Sequence, residues 1–144
     1  MPHSGEPTVE GIDVEGIREY LAQTEVDFAI LFGSHARGTA DSASDLDIAL
    51  RFAERMDEHT RFHRRNRIDA ELQEYANGFV DVSDIDALPD HVAYAALQEG
   101  ILLTGDEQAA EEYKAEIETA YENEADKREQ ERQEFIDRLA RGNI

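Results

Sequence analysis

The most constraining feature of this 144-residue sequence is a turn-rich segment between two strand-like segments. VDFAILF (Val26 to Phe32) is predicted to form a buried strand that ends at Gly33. DLDIALRF (Asp45 to Phe52) alternates strictly, which puts Asp45 and Asp47 on one face and the leucines on the other. Two carboxylates are therefore expected side by side on a strand, one loop after the first strand ends.

The rest of the chain predicts alternating helices and strands. Helical spacing runs from Ile12 to about Thr24, from Met56 to Ala76 with Asn77-Gly78 as a cap, through Val92 to Gly100, and continuously from Asp106. FVDVSDI (Phe79 to Ile85) and ILLT (Ile101 to Thr104, at an edge) are the other predicted strands. We expect an α/β fold, with a small mixed sheet that carries the acids on one face, helices packed on the other, and a long C-terminal helix. The predicted domains are a disordered N-terminus over 1–11, a folded domain over 12–105 and a helical extension over 106–144.

The residues of the turn and the second strand are suited to phosphate and metal binding. Gly33-Ser34 offers a tight turn whose backbone N–H groups and hydroxyl can approach a phosphate, because glycine has no Cβ to block it. Asp45 and Asp47 provide the hard oxygen ligands that Mg²⁺ needs when it bridges phosphates. The alternative is an ordinary strand–turn–strand with exposed acids, but the combined spacing is specific.

Three further features bear on a site. Asp81 shares strand parity with Ser83, whereas Asp84 falls on the valine face, so Asp81 is the better third carboxylate. Arg37 either braces a phosphate or pairs with a neighbouring acid. The histidines at 59 and 63 have metal-ligand spacing, but a solvated helix face explains them better because no acid motif accompanies them.

The segment LFGSHARGTADSASDLDIAL resembles the minimal nucleotidyltransferases of the DNA polymerase β superfamily. Their signature is Gly-Ser, ten residues and Asp-x-Asp, which Gly33-Ser34, residues 35–44 and Asp45-Leu46-Asp47 match in full. The segment is most similar to the MntA-type antitoxins, which are encoded beside a HEPN-domain ribonuclease toxin. The resemblance runs from about Val14 to Leu103. His35 departs from the more usual Tyr or Arg.

This resemblance implies a fold, a reaction and a partner. The fold would be that of a polymerase β-like nucleotidyltransferase, and the substrate would be ATP. Gly33 and Ser34 would contact the nucleotide phosphates, while Asp45 and Asp47 would hold two Mg²⁺ ions, with Asp81 as the third carboxylate. The acceptor would be a tyrosine hydroxyl of the HEPN toxin, whose adenylylation silences the ribonuclease.

The composition of the chain predicts the kind of cell and compartment in which the protein works. There are 34 Asp and Glu against 14 Lys and Arg, only two of which are Lys, for a net charge of −20. Such a surface suits a salt-rich cytosol, where screening removes self-repulsion, so we expect a halophilic archaeal source. Direct binding of nucleic acid is not expected, since phosphates would be repelled. The lack of Cys excludes thiolate chemistry, and the lack of a signal-like N-terminus predicts a cytoplasmic protein away from membranes.

Two segments of the chain each have more than one interpretation. Residues 51–67 carry six Arg against three acids, the only basic segment, which is either a solvated helix face or a surface for an acidic partner or a triphosphate. The apolar residues near the C-terminus, Phe135, Ile136 and Leu139, indicate either a partner or a frayed tail. Other functions considered are an antitoxin that only binds its toxin, and a nucleotidyltransferase that acts on a small molecule.

Overall fold

The computed structural model describes residues 12–40, 44–53 and 55–142, so the predicted disordered N-terminus lies outside the described residues. Its four strands are β1 (Val26–Phe32), β2 (Leu46–Phe52), β3 (Val80–Asp84) and β4 (Ile101–Gly105). They form one sheet in the order β3-β2-β1-β4. β1 is antiparallel to both β2 and β4, whereas β2 and β3 are parallel. The predicted small mixed sheet is therefore confirmed, with β4 at one edge.

Five α-helices surround this sheet in the described part of the chain. They are α1 (Val14–Ala22), α2 (Ser34–Arg37), α3 (Glu58–Leu72), α4 (Asp90–Glu99) and α5 (Glu107–Ala140). Short 3₁₀ turns cover Gln73–Tyr75 and Ile85–Ala87. None of the helices in the described ranges is long and apolar enough to cross a membrane.

The alternating sequence of β2 separates two apolar clusters. Leu46, Ile48 and Leu50 pack with α1 and α3 on one face, as the strand period predicts. Ala49 lies on the opposite face, where α4 and the start of α5 cover the middle of the sheet. The sequence predicted helices on one face only, so this second helical layer corrects that expectation. It stops short of the start of β2, where Asp45 is exposed.

Helix α3 ends earlier than its sequence pattern indicates. The predicted helix runs to Ala76, but the α-helix ends at Leu72 and a 3₁₀ turn follows. Asn77-Gly78 therefore does not cap the α-helix. The reason is Gln73, whose side-chain Nε2 donates to the carbonyl of Val80 at 2.6 Å while its Oε1 accepts from the Val80 N–H at 2.9 Å.

A polar stripe of α3 closes the free edge of β3. Arg61, Arg65, Asp69 and Gln73 follow at intervals of four residues, so they lie on one helix face. Arg65 donates to the carbonyl of Val82 at 2.7 Å, and Asp69 accepts from the Val82 N–H. With Gln73 on Val80, these side chains satisfy the outward backbone groups of two alternate strand residues. An exposed edge would invite pairing with another chain, and this stripe prevents it.

Removing the side-chain amide at position 73 is expected to destabilise the fold. Gln73→Met keeps the length of the side chain but leaves the N–H and carbonyl of Val80 without their partners. Because unsatisfied buried groups cost about 1–3 kcal/mol, the free energy of unfolding should fall by about that amount. Urea denaturation followed by circular dichroism measures it. Gln133→Met, on exposed α5, is the matched control and should change stability by less than about 0.5 kcal/mol.

Helix α5 divides into a packed base and an exposed rod. Tyr113 is buried, its hydroxyl donates to Asp86 at 2.7 Å, and the Arg51 guanidinium lies 4.4 Å from its ring centre. From Glu122 to Gly142 every described residue is exposed, including the apolar residues Phe135, Ile136 and Leu139. With a rise of about 1.5 Å per residue, the whole helix is about 50 Å long.

Candidate active site

The site begins where β1 ends, at Gly33. This residue has φ of 76° and ψ of −154°, a backbone conformation that residues with a Cβ rarely adopt. A Cβ at this position would also collide with Oδ2 of Asp47. Glycine is therefore required both by the turn and by the close approach of the Asp47 carboxylate. Ser34 follows as the first residue of α2 and is half-buried.

Strand pairing brings the three predicted carboxylates together on one face. Asp47 lies directly opposite Asp81 in the parallel register of β2 and β3, and opposite Phe32 in the antiparallel register with β1. Asp45 precedes Asp47 by two residues, and the Leu46 N–H donates to the Phe79 carbonyl at 2.8 Å, which extends the ladder to this point. Asp45 and Asp81 are exposed, and Asp47 is half-buried.

The carboxylates repel one another. Partial burial, followed by the negative charges of Asp81 and Asp45, raises the pKa of Asp47. The nearby His35 and Arg37 oppose this shift more weakly. A cluster of this kind is poised to accept a cation, because a cation relieves the repulsion among the carboxylates.

The donor set fits Mg²⁺ bound together with a nucleotide. Within the described ranges, no group of three or more acidic or histidine side chains forms a metal site by itself. Mg²⁺ is usually held by one or two carboxylates, with the remaining ligands supplied by waters and substrate phosphates. Asp45, Asp47 and Asp81 meet this requirement, and the Gly33 turn leaves room for phosphates beside them.

Asp84 and Arg37 are placed differently from the three carboxylates. Asp84 faces the α3 side of the sheet and is 7% exposed, and its carboxylate lies 2.6 Å from Nη2 of Arg61. The strand parity of the sequence predicts this separation from Asp81. Arg37 lies at the end of α2, where it pairs with Glu99 at 3.2 Å. The ion-pair alternative for Arg37 is therefore realised, and contact with a phosphate remains a prediction.

The sequence predicts no role for His35, yet the structure places this residue at the site. Its side chain is 1% exposed, and Nε2 lies 3.2 Å from the carbonyl oxygen of Ser44. Because a carbonyl oxygen only accepts, Nε2 must carry the ring proton. The buried Nδ1 has no hydrogen-bond partner among the described residues. His35 thus holds the residue that immediately precedes Asp45, a role that no local sequence signal reveals.

Most arginines of the basic segment, residues 51–67, form hydrogen bonds or ion pairs within this chain. Arg61 bonds to Asp84, and Arg65 bonds to the Val82 carbonyl and to Asn66. The other pairs are Arg64 with Glu25, Arg67 with Glu71 and Arg51 with Asp86. Arg61 and Arg65 join α3 to β3 and to the turn after it, so these two are not part of a wholly solvated face, whereas Arg64 and Arg67 remain exposed.

Residues 15–109 match the family model described as polymerase beta, nucleotidyltransferase. No curated protein is significantly similar to the chain.

Solved structures from toxin–antitoxin pairs share the fold. A chain from a toxin–antitoxin structure with AMP-PNP is 23% identical, with a TM-score of 0.60 over 88% of this chain and 96% of that chain. A chain from the pair MntA–HepT is 20% identical, with a TM-score of 0.54 over 88% and 98%. A chain from the complex of a tri-AMPylated Shewanella oneidensis HEPN toxin with its MNT antitoxin is 19% identical, with a TM-score of 0.56 over 89% and 99%.

The family match spans the part of the chain that forms the candidate site. The match begins in α1 and ends near the start of α5, so it contains the Gly33 turn and all three carboxylates. The structures add that the fold extends over most of the chain. Because the family match covers more than half of the sequence, the chain belongs to the polymerase beta nucleotidyltransferase family.

Proposed function

We propose that this protein is an antitoxin that transfers AMP from ATP to a tyrosine hydroxyl of a cognate HEPN ribonuclease toxin. The observation that carries the proposal is the cluster of Asp45, Asp47 and Asp81 beside the Gly33-Ser34 turn. The toxin comes from similarity, because structural neighbours include an MNT antitoxin in complex with a tri-AMPylated HEPN toxin and a toxin–antitoxin structure with AMP-PNP.

In this proposal each reactant takes its own side of the site, and the order of the strands supports that arrangement. β2 lies between β1 and β3, so the Ser34 turn and Asp81 flank Asp47 on opposite sides. The triphosphate then lies over the turn, the α-phosphate lies at Asp45 and Asp47, and the acceptor hydroxyl approaches from Asp81. This arrangement allows the hydroxyl to attack opposite the departing pyrophosphate.

The proposed transfer forms one bond and breaks one. The tyrosine oxygen forms a bond to the α-phosphorus, and the bond between that phosphorus and the bridging oxygen of pyrophosphate breaks. Asp81 is placed to take the phenolic proton, directly or through a water. Two Mg²⁺ ions, when bound by the carboxylates, would lower the pKa of the attacking hydroxyl and neutralise the triphosphate.

The proposal is tested by incubating the protein with its HEPN partner, Mg²⁺ and each of the four nucleoside triphosphates in concentrated salt. With ATP, intact-mass spectrometry should show the partner gain the mass of one or more AMP groups, and peptide mapping should place them on tyrosine. An unchanged partner mass with every nucleotide would contradict the proposal and favour an antitoxin that acts by binding alone.

His35 is expected to affect transfer through the position of Asp45. His35→Leu removes the donor to the Ser44 carbonyl, so we expect a fall in transfer rate of about tenfold or more. The Mg²⁺ concentration that gives half of the maximal rate should rise, because Asp45 is displaced. His35→Gln, whose amide can reach the same carbonyl, should restore both values to within about threefold. Equal losses in both variants would contradict a role for this hydrogen bond.

A further inference from the structure

The strongest unassigned feature is a groove of about 450 Å³ that reaches Asp81 from the α3 side of the sheet. The groove follows the edge of β3 into the 3₁₀ turn after it. Phe62, Val82 and Leu88 contribute its apolar lining. Asp81 therefore belongs both to the carboxylate cluster and to this groove.

Two exposed phenylalanines flank the β3 edge that carries Asp81, one on each side of the sheet. Phe62, on α3, is 55% exposed and lines the groove. Phe79 is 59% exposed, precedes Asp81 by two residues and shares its strand parity, so it falls on the carboxylate face. Exposed aromatic rings of this size are typical anchors of protein interfaces, since each buries a large apolar area when a partner covers it.

The charge of the groove argues against a phosphate ligand. Its lining holds four carboxylates and two guanidinium groups, from Glu58, Asp81, Asp84, Asp86, Arg61 and Arg65. Both arginines already donate to groups of this chain. The groove thus has an excess of negative charge, which repels a triphosphate and favours a neutral or basic segment.

We propose that this groove binds the acceptor polypeptide, as a neutral or basic segment that carries the tyrosine, packs against Phe62 in the groove and passes over the edge of β3 to Phe79 on the carboxylate face. The inference rests on the proposed function, because the acceptor side of the site is defined by that reaction. The groove opens at Asp81, on the side of Asp47 away from the Ser34 turn, so ATP and the acceptor occupy separate surfaces. Phe62 and Phe79 then determine which polypeptide is modified, and they leave ATP binding unchanged.

The test compares Phe62→Ser and Phe79→Ser with the parent, using the full-length protein and its HEPN partner. Two quantities are measured: the Kd of the complex without nucleotide, and the KM values of transfer for the partner and for ATP. Each variant should weaken the complex and raise the KM for the partner by about tenfold, with the KM for ATP within twofold. Phe62→Leu, which keeps an apolar side chain, should stay within threefold of the parent.

The control is Ala70→Ser, which changes an exposed residue on α3 two turns away from Phe62 that does not line the groove. It should leave the Kd and both KM values within twofold. Unchanged affinity in Phe62→Ser, an equal loss in Ala70→Ser, or a rise confined to the KM for ATP would each overturn the proposal. If the parent transfers no AMP, the proposed function fails, while the Kd values still decide whether the groove is the docking surface.

Discussion

Replacing Asp47 with Asn is expected to abolish nucleotidyl transfer, with a loss of rate on the order of 10³-fold. Asp47 lies at the centre of the site, opposite Asp81 and next to the Gly33 turn. An amide cannot supply the anionic oxygen ligand with which a carboxylate holds Mg²⁺ beside the triphosphate. Asp45→Asn should have an effect of the same order, because the two carboxylates share one face of β2.

The same variant should not weaken the fold. Burial and the charges of Asp81 and Asp45 raise the pKa of Asp47. A carboxyl with a pKa higher in the folded than in the unfolded chain stabilises the fold below its unfolded pKa, and that contribution is lost as the pH rises through the folded pKa. Near neutral pH and without metal, the ionised Asp47 therefore opposes folding, and Asn removes this cost.

Thermal denaturation and a transfer assay together check this prediction. Without metal, the Tm of Asp47→Asn should equal or exceed that of the parent, and the rise in Tm on adding Mg²⁺ and ATP should disappear. Glu124→Gln, on the exposed part of α5, is the control and should behave as the parent in both assays. A rate within tenfold of the parent for both Asp45→Asn and Asp47→Asn would exclude these carboxylates from the reaction.

The second large effect is expected to separate Asp81 from Asp84. Asp81→Asn should lower the transfer rate by about 10² to 10⁴, the range for loss of a proton acceptor, with little change in stability because Asp81 is exposed. Asp84→Asn should keep the transfer rate per folded molecule within a few-fold. Its free energy of unfolding should fall by about 1–3 kcal/mol, because the buried carboxylate is the partner of Arg61.

The two substitutions lie three residues apart on one strand, so each serves as the control for the other. Rates come from the intact-mass assay and stabilities from urea denaturation. The reverse pattern, with Asp84→Asn inactive and Asp81→Asn active, would show that the faces of β3 are assigned wrongly. Asp86→Asn should retain the transfer rate at saturating partner, since Asp86 lies beyond the strand and accepts from Tyr113.

Short-range patterns in the sequence were sufficient to predict the strands and to predict which carboxylates share a strand face. β1 has the predicted bounds, and β2 begins one residue later than predicted. The two-residue period of a strand places Asp45 with Asp47, and Asp81 apart from Asp84, because successive side chains point to opposite faces. The family resemblance depends on the same local spacing, and the match over residues 15–109 confirms it.

Contacts between distant parts of the chain decided the rest. The register that sets Asp81 opposite Asp47, the burial of His35 and the early end of α3 at Leu72 all depend on partners far along the chain or across a loop. Local periodicity carries no information about such partners. The basic segment shows this most clearly, since a run of arginines reads as a solvated face until the edge of β3 and Asp84 supply the groups that bind Arg65 and Arg61.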